Sequence, residues 1–133
     1  MTGKRDLREL LHTMRPELNP GRYVFTTVAG GAVPDGVRPV VTVSETEGLT
    51  LVVPEPEAAA AGLGYDFVAG WITLRVHSAL DAVGLTAAVA LALTDAGVSC
   101  NVVAGYHHDH LFVPYARASE ALEVLEVLAA ESG

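Results

Sequence analysis

The spacing of apolar positions changes several times along the chain, and each change marks an element. Near the start, "DLRELLHTM" sets Leu7, Leu10, Leu11 and Met14 on one helical face, and Pro16 stops the helix. "RYVFTTVA" mixes β-branched and aromatic residues and predicts a strand. "GGAVPDGVRP" is Gly/Pro punctuation, too broken for a helix. "VVTVSETEGLTLVVP" predicts two strands around a polar turn at Glu45 to Gly48. "EPEAAAAGLG" predicts a short helix, with Pro56 in its first turn and Gly62 or Gly64 ending it.

The second half has cleaner periods. "WITLRVHS" alternates strictly, with Ile72, Leu74 and Val76 on one face and Thr73, Arg75 and His77 on the other. After the turn "ALDAVG", the segment "LTAAVALALTDAG" aligns Leu85, Val89 and Leu93 as a helix that Gly97 terminates. "VSCNVVAGY" and "HLFVPY" predict strands flanking a histidine run. "ASEALEVLEVLAAE" predicts a helix whose Glu120, Glu123 and Glu126 form a solvated stripe.

One internal correspondence organises these elements. Leu51-Val52-Val53-Pro54 laid over Leu111-Phe112-Val113-Pro114 aligns, without gaps, two strand–turn–strand–Pro–helix units 60 residues apart. A further strand precedes each unit. A broken loop follows that strand in the first half, and a full helix in the second. The chain therefore reads as a diverged tandem duplication of a β(α)ββα unit, with halves at 1–70 and 71–133 and "WITLRVHS" as the seam. The N-terminal helix is a candidate to fill the space of the helix missing from the first half.

A length of 133 residues suffices for a core without metal or disulfide staples. Eight basic against sixteen acidic residues give a net charge of −8, which speaks against nucleic acid or an anionic membrane as partner. Cys100 is the single cysteine, so no intramolecular disulfide forms. The first residues carry charges throughout, and no window approaches the ~20 apolar residues of a membrane span. The expectation is a cytoplasmic protein.

From Trp71 onward, "VHSALDAVGLTAAVALALTDAGVSCNVVAGYHHDHLFVP" resembles an ACT domain: a strand, an Asp-x-x-Gly turn (Asp81, Gly84), a helix, and two strands joined by a hairpin. The whole chain is similar to small stand-alone bacterial proteins built of two ACT-like halves. The run Tyr106, Asp109, Val113, Pro114 is also similar to the hairpin of ACT modules in arginine-sensing proteins. The first half lacks the Asp-x-x-Gly turn and its helix. The resemblance implies an α+β, ferredoxin-like fold with helices on one face of a shared sheet. It implies a non-catalytic regulatory or sensor module that binds an amino acid, needs no cofactor, pairs as a homodimer through its free edges or faces, and serves a partner enzyme of amino-acid metabolism.

A free amino acid carries an ammonium beside a carboxylate, so its site needs an anionic acceptor next to exposed backbone donors. Asp81 offers the acceptor, and the helix start at Gly84, Leu85 and Thr86 offers the amides. The resemblance adds Asn101 and Val102 from a paired unit; Tyr106 and Asp109 are further candidates. The bland reading is that Asp81 or Thr86 caps the helix. The histidines of His107-His108-Asp109-His110 lie opposite the first half's turn, which has none, so a polar hairpin tip is the first reading. A metal site there would require His108 and His110 to converge with His77; a His–His bridge between copies is another use. Cys100 reads as a small buried hydrophobe. Gly31 to Gly36 is not a phosphate loop, because Val37 and Arg38 stand where Lys and Ser/Thr are required. Arg75 and His77 form a polar strand face that either binds an anion or pairs sheets. The alternative to a sensor is an interaction module that has lost its small ligand.

Overall fold

The computed structural model describes residues 6–76 and 82–132. Among these residues twelve elements follow one another, of which ten are regular: α1 (Leu7–Thr13), β1 (Arg15–Val28), β2 (Val41–Glu45), β3 (Gly48–Pro54), α2 (Glu55–Ala60), β4 (Val68–Arg75), α3 (Leu85–Asp95), β5 (Asn101–Ala104), β6 (Asp109–Pro114) and α4 (Ala118–Glu131). Single 3-10 turns at Ala29–Gly31 and Tyr115–Arg117 complete the order. The chain forms two compact units: residues 21–69, and residues 1–20 together with 70–133. The division passes through β1 after Pro20 and through β4 after Ala69.

In the unit of residues 21–69 the strands run in the order β2-β3-β1, antiparallel throughout. Val24, Leu51 and Val53 turn to one side and bury with Ala58 of α2 and Val37 of the loop. In the other unit the order is β1-β4-β6-β5. Here the alternation read in the sequence holds: Ile72 and Leu74 of β4, Val76 just after it, and Leu111 and Val113 of β6 bury against Leu85, Val89 and Leu93 of α3 and Leu125 of α4. These helices cover one face of the strands, as an α+β fold requires.

The duplication is written in the hydrogen-bond register. Val41 pairs with Val52 across the first hairpin, and Asn101 pairs with Phe112 across the second, so the 60-residue offset is kept by both strands. The tips differ. Glu45 pairs directly with Gly48, whereas the second ladder closes at Ala104 and Asp109 and leaves Gly105 to His108 as a loop. The amide of Gly105 donates to the carbonyl of His108 at 2.9 Å, the remnant of that missing rung.

Two expectations need correction. The N-terminal helix does not stand in for a helix of the first half: Leu10, Leu11 and Met14 of α1 bury in the core shared with α3 and α4. And β1 starts at Arg15, not at Arg22. Proline forbids a helix interior but accepts extended backbone, so Pro16 and Pro20 end α1 without ending the strand. Asn19 fixes that early part of β1 by donating from Nδ2 to the carbonyl of Trp71 (3.2 Å) and to Thr73 Oγ1 (2.9 Å).

The end of α3 shows how local chemistry sets an element's length. Gly97 takes a left-handed φ of 75°; its amide bonds to Thr94 and that of Val98 to Leu93, both at 2.9 Å, with Val98 buried beneath. Arg117 then donates from Nη1 to the carbonyl of Gly97 (3.2 Å) and from Nη2 to that of Ala96 (3.0 Å). Its Nε also holds Glu120 at 2.6 Å. A cation here meets both orphan carbonyls and the negative end of the helix dipole. Arg117→Ala is expected to lower the thermal midpoint, and Arg117→Lys to recover only part of it, since an ammonium cannot serve two carbonyls and a carboxylate in one plane.

Candidate functional site

A cavity of about 80 Å³ lies where the start of α3 meets the β5–β6 hairpin. Leu85 and Thr86 line it from the helix, and Tyr106, His107, His108 and Asp109 from the hairpin; Val76, Ala82, Ala104 and Gly105 complete the wall. The helix is placed by Gly84, its N-cap, whose φ of 104° lies in the left-handed region that glycine alone enters cheaply. Among the described residues no side chain caps α3, so Thr86 is not the cap that the bland reading allowed. No described side chain takes up the first amides of α3, and such orphan donors suit an anion. Leu7 of α1 packs on Gly84, with Cδ2 3.2 Å from where a Cβ would stand.

The hairpin side supplies the polar groups. Tyr106 is 82% exposed and meets His107 edge-on, with ring centroids 5.1 Å apart. His108 turns inward, and its Nδ1 is buried with no hydrogen-bond partner among the described residues. Burial pushes the Asp109 carboxyl above its ordinary range, against a smaller opposing pull from His110 and His108. The loop thus gives the cavity an acid that is costly to ionise alone and a ring nitrogen without a partner.

His110 does not belong to the tip. It points to the sheet face opposite the helices, where its Nδ1 accepts from Trp71 Nε1 at 3.1 Å and lies 3.3 Å from Thr73 Oγ1. Trp71 stacks on the fully buried Phe112. Burial depresses the His110 pKa, as do His108 and Arg75, with Asp109 opposing. A neutral ring is what this network needs, because Nδ1 is the acceptor. Among the described residues no three His, Cys, Asp or Glu side chains are grouped to hold a metal ion.

The other candidates are distributed. Asp81 and His77 lie outside the described residues. Asn101 is exposed at the start of β5, with its Nδ2 3.5 Å from the carbonyl of Phe112, and Val102 packs partly against the core; neither lines this cavity. Arg75 is engaged by Glu17, Nε to Oε2 at 3.1 Å and Nη2 to Oε1 at 3.2 Å, so it is no free anion site. Burial lifts the Cys100 thiol to about 11, which leaves it protonated and unreactive near neutral pH. No described helix is long and apolar enough to cross a membrane.

Sequence reasoning missed Val76, Ala82, Ala104 and Gly105 as cavity wall, and it missed the Asn19–Trp71–Thr73–His110 network. For Gly105 a signal existed: the 60-residue offset sets it opposite Glu45, the first turn residue. A Cβ on Gly105 would stand 2.6 Å from the carbonyl of His108, so only glycine lets the loop close this tightly.

An ACT-domain family model matches residues 2–70, and a second ACT-domain model matches residues 66–127. A Vibrio cholerae protein, described as of unknown function and a possible transport protein, is 48% identical over 94% of this chain and 97% of its own, with a TM-score of 0.84. An Agrobacterium tumefaciens protein is 20% identical over 87% of this chain and 89% of its own, with a TM-score of 0.67. The ligand-free regulatory subunit of aspartate kinase from Thermus thermophilus shares the fold at 11% identity, covering 89% of this chain and 97% of its own, with a TM-score of 0.62. No match is found among curated proteins.

Proposed function

The chain belongs to the ACT-domain family, and from that premise we propose that it is a non-catalytic regulatory module that binds an amino acid or a similar small zwitterion beside α3. The observation that carries the reading is the convergence in one cavity of Leu85 and Thr86, from a helix start that no described side chain caps, with Tyr106 and Asp109 from the facing hairpin. The amides of a helix start suit a carboxylate, and a half-buried acid suits an ammonium. An ammonium beside Asp109 offsets the burial that raises its pKa. A homodimer in the cytoplasm, serving a partner enzyme of amino-acid metabolism, completes the proposal; Asp81 of the adjoining turn and Asn101 and Val102 of a second copy are its remaining ligand contacts. The regulatory subunit among the structural neighbours supports this reading by its fold.

A thermal-shift screen of the purified protein against the proteinogenic amino acids, related metabolites and divalent metals tests it. A ligand at ~100 times its Kd adds ~2.7 kcal/mol, which moves the midpoint by several degrees in a chain of this size. We expect one amino acid to do so, and Asp109→Asn to remove most of the shift without changing the unliganded fold. If no amino acid or zwitterion moves the midpoint, the sensor reading fails.

A further inference from the structure

Helix α4 has more apolar surface than the core uses. Ala118, Ala121, Leu125 and Ala129 form the buried stripe, spaced for one helical face. Val124, Val127 and Leu128 form a second stripe beside it, and Val127 is 48% exposed. With Ala92 of α3 they floor a groove of about 390 Å³ between the two helices. That volume is within the range of sites that take small molecules or a few side chains, ~300–1,000 Å³.

The rim of the groove has one sign. Asp95, Glu120, Glu123 and Glu131 stand around it, and among the described residues neither Lys nor Arg lines it. Glu120 is held by Arg117, whereas Asp95, Glu123 and Glu131 have no ion-pair partner among the described residues. Solvated acids alone would explain the charge. They do not explain why an aliphatic stripe at i, i+3 and i+4, with Val127 exposed and Val124 and Leu128 half-buried, lies between them.

We propose that this groove docks a basic amphipathic helix of a partner protein, with aliphatic side chains seated on Val124, Val127 and Leu128 and flanking Lys or Arg on the acidic rim. Charge complementarity decides against the other occupants. A second copy of the chain would bring the same carboxylates against these, and like charges across an interface are strongly disfavoured. An anionic membrane is repelled in the same way. The site is separate from the cavity beside α3 and does not depend on the ligand assigned there.

The test is a titration of the isotope-labelled full chain with a synthetic helical peptide carrying Leu at i, i+3, i+4 and i+7 and Lys elsewhere, followed by amide chemical shifts. Shifts confined to α3 and α4 are expected, with affinity falling about tenfold in Val127→Lys and falling also in the paired variant Glu123→Gln/Glu131→Gln. The same peptide with Glu in place of Lys is expected not to bind. Absence of shifts overturns the proposal. So do shifts that spread over the whole acidic surface and ignore Val127→Lys, because they report charge attraction alone. Groove signals that move with the protein's own concentration, without peptide, would assign the surface to a second copy instead.

Discussion

Gly70→Ala destabilises the protein by about 1–3 kcal/mol, and Gly70→Val by more. The residue lies on the face of β4 that also carries Ile72 and Leu74, the face turned to the helices. A Cβ there would stand 2.6 Å from Cβ of Ala118 and 3.8 Å from Cδ1 of Leu18. Carbon atoms settle at about 3.5–4.0 Å, so the first turn of α4 would have to withdraw by roughly 1 Å. It has little freedom to do so, since Ala118 is 3% exposed and the preceding Arg117 is tied to the end of α3. Urea unfolding should show a lower midpoint with an unchanged slope. Ala118→Gly in the same chain is expected to recover part of the loss, making the pair non-additive. Additive losses would mean that the clash with Ala118 is not the cause.

That contact also shows where a sequence stops being informative. The period-2 pattern of "WITLRVHS" and the period of "LTAAVALALTDAG" name the buried faces of β4 and α3, because burial of alternate or every third to fourth side chain is a local rule. The 60-residue repeat names both hairpins and their register, because two copies of a fold keep the same pairing. From these the cavity was half legible. Leu85, Thr86, Tyr106 and Asp109 follow from a turn and a hairpin whose motif order is that of the ACT family, and they meet in space. What was not legible depends on distant pairs. Nothing near Asn19 says that it will bond to Thr73, and nothing near Gly70 says that Ala118 will lie against it. The same holds for α1: its apolar face announces burial, but not which core receives it. The histidine run misled in another way. Adjacent positions on a strand face opposite sides, so within β6 Asp109 lines the cavity while His110 joins the sheet network; His108 lies in the loop before the strand, where alternation does not apply, and four neighbouring residues serve two different places.

Acidification separates those two places by the sign of their effect on stability. His110 is held, half-buried, as a neutral acceptor for Trp71, and its folded pKa lies below the ordinary 6.5. The unfolded chain therefore binds a proton first. Stability is full above pH 6.5 and falls as pH drops from there toward the folded value, with a slope of at most about 1.4 kcal/mol per pH unit for one proton. Asp109 behaves oppositely. Its folded pKa is raised above 3.8, so the native state takes up its proton first, and stability is regained as pH falls from that folded value to 3.8. The expected profile is a loss beginning near pH 6.5, partly offset at lower pH. Trp71 is the chain's single tryptophan, so its emission reports the network directly. His110→Gln keeps an acceptor that does not titrate, and it should flatten the upper limb while leaving the lower one. Asp109→Asn should do the reverse, removing the offset and leaving the loss below pH 6.5 intact. If the upper limb survives His110→Gln unchanged, another group carries the proton and the neutral-ring account of the network is wrong.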